Sequence, residues 1–191
     1  MKTAFLRSAP LLLALSLAAC ASGGGGRAAA GGVEVARFHL GEPVARAQIV
    51  VEPFDKADAN RPEFPAYAAA VGRQLSRLGW TVVPTATQSE QIALIDLEQG
   101  SREAVAALTA ARIGRGVSAT VPAGTSTGIT ATLLEVAIRR RSDGTVFWEG
   151  RAVHEARTGS PEAARTAAVE RLAAALFRDF PGESGRTIRV K

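Results

Sequence analysis

The sequence predicts an α+β domain: a mostly antiparallel sheet with two helices packed on one face, preceded by a lipidated flexible tether. Three observations predict it. Segments of strand and helix length follow in the order strand, strand, helix, strands, hairpin, helix. Two of them, one after Pro65 and one after Ser160, repeat their apolar residues at helical spacing. Between them, Asp143-Gly144 joins two alternating runs, a strong short-range hairpin signal.

The chain opens with Lys2 and Arg7, then an apolar run from Leu11 to Ala19 broken only by Ser16. This is the layout of a secretory signal peptide. The run is far shorter than the ~20 apolar residues a membrane-crossing helix needs. It ends Leu17-Ala18-Ala19-Cys20, which matches a lipobox. There, small residues admit the signal peptidase, and the Cys20 thiol is the attachment point for diacylglycerol. Residues 1–19 are therefore expected to be removed and Cys20 to carry lipid. Two or three acyl chains on one residue anchor stably where one does not. Ala21 follows instead of an inner-membrane-retaining aspartate, so the expected location is the outer membrane, facing the periplasm. Cys20 is the single cysteine, so the domain can form no internal disulfide and must stand on its own apolar core. Ala21 to Gly32 is alanine, glycine, serine and one arginine, which makes residues 20–32 a lipidated tether and 33–191 one domain.

Val33 to Leu40 alternates as a strand, with Val33, Val35 and Arg37 opposite Ala36, Phe38 and Leu40. A Gly41-Glu42-Pro43 turn leads to a second strand around Ile49-Val50-Val51, stopped by Pro53. Asp55 to Pro65 is a polar, proline-punctuated loop. Ala66 to Leu78 is a helix, because Tyr67, Val71, Leu75 and Leu78 form one stripe and Gly79 supplies the stop. Trp80 to Val83 and Gln91 to Leu97 are strands, the second apolar on both faces as an inner strand should be. Local propensity from Arg102 to Ile113 favours a helix capped by Ser101, and a glycine-, serine- and threonine-rich loop follows. Ile129 to Arg139 and Thr145 to Glu155 form the hairpin. Ser160-Pro161-Glu162 opens the last helix with a hydroxyl cap, proline and an acid, and its apolar face is Val169, Leu172, Leu176 and Phe180. Thr187 to Lys191 adds a final short strand.

Three segments carry a resemblance: Val35-Ala36-Arg37-Phe38-His39-Leu40, Val146-Phe147-Trp148-Glu149-Gly150-Arg151-Ala152, and Leu176-Phe177-Arg178-Asp179-Phe180-Pro181-Gly182. In this order they resemble the bacterial lipoprotein family of domain of unknown function 4136, over roughly Val33 to Lys191. The resemblance implies an envelope lipoprotein with a small α+β domain and transfers no functional residues. It also implies that Arg102 to Ile113 is extended, against local propensity, and that is the reading adopted.

Several patterns imitate chemistry. Gly124-Thr125-Ser126-Thr127-Gly128 fits G-x-S-x-G, and Asp143 and His154 follow in the order of an α/β-hydrolase. That mechanism needs a strand before the serine and a helix after it. Here Pro122 precedes and a strand-like run follows, so a serine hydrolase is the least favoured reading and no catalytic residue is assigned. His39 and His154 are far apart in sequence, lack the spacing of a metal site and have no cysteine ligand available, so neither a metal nor a cofactor is expected. Gly114-Arg115-Gly116 lacks the further glycine of a dinucleotide fingerprint. Trp148 is expected in the core, with Glu149 and Arg151 paired on the opposite strand face. Arg139-Arg140-Arg141 is expected to be a solvated hairpin end that could also meet anionic lipid.

The net charge of +5 loses two with Lys2 and Arg7, and an exported protein has no nucleic acid to meet. All but three of the 23 basic residues are arginine, as a GC-rich coding sequence produces. The expected role is non-catalytic: binding or assembly of an envelope partner through a sheet edge or open sheet face, with the membrane reached through acyl chains. The alternative is a transport-accessory lipoprotein carrying an apolar ligand between helices and sheet.

Overall fold

Val33, Val35 and Arg37 all point to one side of the first strand, β1 (Val33–His39), and all three are buried. The computed structural model describes residues 31–41, 43–112 and 128–191. After β1 come β2 (Gln48–Pro53), α1 (Phe64–Arg77), β3 (Thr81–Val82), β4 (Gln91–Ser101), α2 (Arg102–Arg112), β5 (Ile129–Arg140), β6 (Val146–Arg157), α3 (Arg165–Phe177) and β7 (Thr187–Val190). The strands form one seven-stranded sheet in the order β3-β2-β4-β5-β6-β1-β7. β2 runs parallel to β3 and to β4, and every other pairing is antiparallel. The fold is thus α+β with a mostly antiparallel sheet.

The β5–β6 hairpin lies where the Asp-Gly signal puts it. Gly144 takes φ 72°, a left-handed conformation that glycine adopts without strain, and the Asp143 carboxylate accepts a 2.9 Å hydrogen bond from the Thr145 amide. α1 and α3 pack on one face of the sheet over a continuous apolar core. Tyr67, Val71 and Leu75 of α1 and Val169, Leu172 and Leu176 of α3 meet Ile95, Leu134, Val136, Ile138 and Trp148. Leu172 and Trp148 are completely inaccessible to solvent.

The structure corrects three expectations. Arg102 to Arg112 is helical, not extended. Ser101 Oγ accepts a 3.2 Å bond from the Ala104 amide, and the alanine-rich run that follows favours helix, so local propensity prevails over the resemblance. There are consequently three α-helices among the described residues rather than two, and α2 lies on the other face. It sets Val105 and Leu108 on Ala131 and Leu133, which alternate with the core-facing Leu134 and Val136. Finally, Ser160 does not cap α3. Pro161–Ala163 forms a separate 3-10 turn, Ala164 is extended at φ −62°, ψ 132°, and α3 starts after it with no side-chain cap. Phe180 falls beyond the end of α3 yet still packs, with its ring 5.1 Å from Trp148 and 5.3 Å from Trp80.

Candidate functional site

On the face of the sheet opposite α1 and α3, strand alternation lines up charges. Asp96 of β4 stands opposite Glu135 of β5, which stands opposite Arg151 of β6. Two facing carboxylates repel. Arg112, in the last turn of α2, lies over them and donates to both Asp96 and Glu135, with Glu98 at 3.7 Å. Burial works against the Arg112 charge, but hydrogen bonds to Glu135 and Asp96 outweigh it and raise its pKa. Burial and the neighbouring Asp96 carboxylate raise the Glu98 pKa, against the pull of Arg112. The row closes at Arg151, 2.7 Å from Glu135 and 2.6 Å from Glu149. The Glu149–Arg151 pair is the one read from their shared strand face.

α2 covers only the half of this face around Ala131, Leu133 and Val153. Beyond its C-terminus none of the described residues covers the sheet, which forms a groove of about 410 Å³. Phe54, Leu94, Ala137 and Val146 make its apolar wall, and Arg112, Glu135, Arg139, Glu149 and Arg151 supply its charges. Two of its wall residues stand in solvent, Phe54 at 45% exposure and Val146 at 43%, as does Phe38 at 43%, opposite the groove's Glu149, while Leu40 at 62% lines a separate cleft with Val44, Gln91 and Phe147.

The other residues singled out in the sequence lie elsewhere and do not converge. Cys20 and Ser126 fall outside the described residues. Asp143 is exposed at the hairpin tip, bound to Arg140 at 2.6 Å. His154 is buried near the far end of β6, roughly 25–30 Å away at about 3.3 Å per residue. Asp143 and His154 therefore cannot act as a pair. His39 lies opposite Trp148, six positions along β6 from His154, and its Nε2 is 3.0 Å from the Gly182 carbonyl. Of the arginine run, Arg139 faces the groove, Arg140 pairs with Asp143 and Arg141 is exposed.

The three segments that carry the family resemblance meet in space. Arg37 of β1 is only 2% exposed and donates to the carbonyls of Leu176, Ala175 and Arg178 at 2.8, 3.0 and 2.8 Å. It thereby satisfies carbonyls that the C-terminus of α3 leaves unpaired. Trp148 Nε1 donates to the Pro181 carbonyl at 3.0 Å, and its ring stacks on Phe177 at 5.3 Å. The motif is a packing device that pins the end of α3 to β1 and β6. Alternation reasoning treats Arg37 simply as a strand residue and passes over Asp96, Glu98, Glu135 and Arg112. The available signal was a carboxylate inside each of two otherwise apolar inner strands.

No family model matches the chain. It is 27% identical to an uncharacterised protein of Zymomonas mobilis, over 83% of this chain and 80% of that protein. Among solved structures it is similar to a PDZ domain protein from Parabacteroides distasonis, at 11% identity and a TM-score of 0.52. That match covers 83% of this chain and 38% of the other. It is also similar to a dodecameric PelC from Paraburkholderia phytofirmans, at 12% identity and a TM-score of 0.44, over 74% of this chain and 97% of that one. At 11% identity the likeness to the Parabacteroides distasonis structure is one of fold alone.

Proposed function

We propose that this chain is a periplasm-facing outer-membrane lipoprotein of the domain of unknown function 4136 family. In this reading it is anchored through Cys20 and docks an envelope protein on the uncovered half of its sheet. The carrying observation is that, among the described residues, α2 stops short: Phe54 and Val146 of the groove wall stand in solvent, as do Phe38, opposite the groove's Glu149, and Leu40 two residues on. Large apolar side chains exposed on one sheet face support an interaction surface. The space between the sheet and α3 is filled by side chains such as Trp148, Leu172 and Leu176, and what a carrier would have on this side is the open cleft between α1 and β2/β3 lined by Val50, Ala68, Gly72 and Val82. The lipobox and the family segments support the anchor. The role proposed is non-catalytic, with no cofactor, metal or nucleic acid.

Two measurements test the reading. Cys20→Ser should abolish incorporation of labelled palmitate and leave the precursor uncut, and persistent labelling would refute the anchor. A photoreactive residue at Leu40 in intact envelopes should give one discrete protein adduct that Phe38→Asp removes. The same probe at Arg73, on the exposed surface of α1, should give none. Identical adducts from both positions, or none from Leu40, would refute docking on this face.

A further inference from the structure

The groove holds an asymmetry that protein docking does not use. Its lining carries three guanidinium groups and two carboxylates. Both carboxylates are occupied: Glu135 by Arg112 and Arg151, Glu149 by Arg151. Arg139 is left over. Arg139 continues the face of Glu135 and Ala137 on β5, and the register slips there because Phe147 is an extra residue on β6, which brings Val146 opposite Arg139. Arg139 then stands between Ile92 of β4 and Val146 of β6, two apolar neighbours that offer its charge nothing. Its Nε is buried without a hydrogen-bond partner, and among the described residues its side chain makes no ion pair. A buried guanidinium donor left unmatched is costly, and an oxyanion satisfies it with a charge-assisted bond. Next to it the groove wall is apolar, and about 410 Å³ is within the range of small-molecule sites.

From this we propose that the groove binds a small amphiphilic anion. Its carboxylate or phosphate head pairs with Arg139, and its apolar body lies along Phe54, Leu94, Ala137 and Val146. The site shares a face with the docking surface but not its reporters, since Phe38 and Leu40 are outside the groove lining. The two readings can therefore fail separately.

The test titrates sodium decanoate and decyl phosphate into the full chain carrying Cys20→Ser, following amide chemical shifts. Saturable shifts are expected at Leu94, Ala137, Arg139 and Val146. Whichever ligand binds tighter tells a free carboxylate source from a phosphate headgroup. Arg139→Gln keeps the shape and removes the charge, and should weaken binding roughly tenfold or more, the worth of one charge-assisted bond. Decyltrimethylammonium, of equal chain and opposite charge, should leave these amides unmoved. The proposal is overturned by any of four results. The shifts are absent or lie elsewhere; Arg139→Gln binds as tightly as the parent; the cation binds in the same place; or phosphatidylglycerol vesicles sediment the protein while neither soluble anion shifts the groove.

Discussion

Gly150 shows how a single residue is dictated by packing. It faces the core between Trp148 and Leu176, where an added Cβ would collide with the Trp148 ring and come within 2.7 Å of Leu176 Cδ1. Gly182, at φ 77°, makes the same accommodation for Arg37, whose Cδ would be 2.6 Å from a Cβ there. Gly150→Ala should therefore lower unfolding free energy by about 1–3 kcal/mol, the usual cost of overpacking, as read by denaturant titration. An unchanged midpoint would mean that Trp148 can move aside. His154 makes a different demand. Burial, and then the Arg171 guanidinium, hold its imidazole pKa below the ordinary value of 6.5, so the folded ring stays neutral. Below 6.5 the unfolded chain takes up a proton that the folded chain resists. Stability is then full above that value and falls as the pH drops toward the lowered folded value. Glu98, with its raised pKa, works in the opposite direction but is present in both proteins compared. The loss of melting temperature between about pH 7 and pH 5 should be smaller in His154→Gln than in the parent. Equal losses would assign the acid sensitivity elsewhere.

Among the elements, α2 is held differently from α1 and α3. Those two share the main core, whereas α2 rests on a satellite of Val105, Leu108, Ala131 and Leu133 and on the Arg112 ion pairs at its end. A helix with so little buried area should open on its own, below the free energy of global unfolding. Ala106 is exposed in the middle of α2, so Ala106→Pro removes no core contact and costs about 3 kcal/mol of helix. Hydrogen exchange should then show α2 amides unprotected while β4, β5 and α3 keep their protection. Collapse of protection throughout the sheet would show that α2 belongs to the main cooperative unit. The same modest packing explains why α2 was hard to read. Its apolar stripe is thin because it covers one strip of sheet, and its helical signal rested on Ser101 and alanines alone. α1 and α3 span a full core face and carry full stripes.

At the scale of the whole molecule, the chain enters and the groove opens at opposite ends. Val33 begins β1 beside His154, whereas the exposed Leu40 lies beyond the other end, near the Arg140–Thr145 turn. Those ends are roughly 20 Å apart at about 3.3 Å per residue. Under the proposed anchor, a lipid on Cys20 would put the Val33 end on the bilayer side and Leu40, Phe38 and the arginine run at the far end. This geometry favours a partner in the periplasmic space over headgroup contact by Arg139 to Arg141.

What the sequence by itself determined was most of the local structure, with α2 and the start of α3 the exceptions. The strands and helices announced themselves by alternation, stripes, proline and glycine, and the hairpin by Asp143-Gly144. Trp148 in the core, with Glu149 and Arg151 paired behind it, followed from strand parity. Tertiary structure alone decided which side of the sheet α2 takes, because a short stripe fits either face equally well. It alone decided that Arg37 reaches three carbonyls near the end of α3, about 140 residues away, since nothing at either position names the other. It also decided that Asp96, Glu98, Glu135 and Arg112 form one row, while Arg139, four positions beyond Glu135 along β5, is left without a counter-charge among the described residues. Register across strands is a property of the assembled sheet, and the groove exists only where that register and the end of α2 coincide.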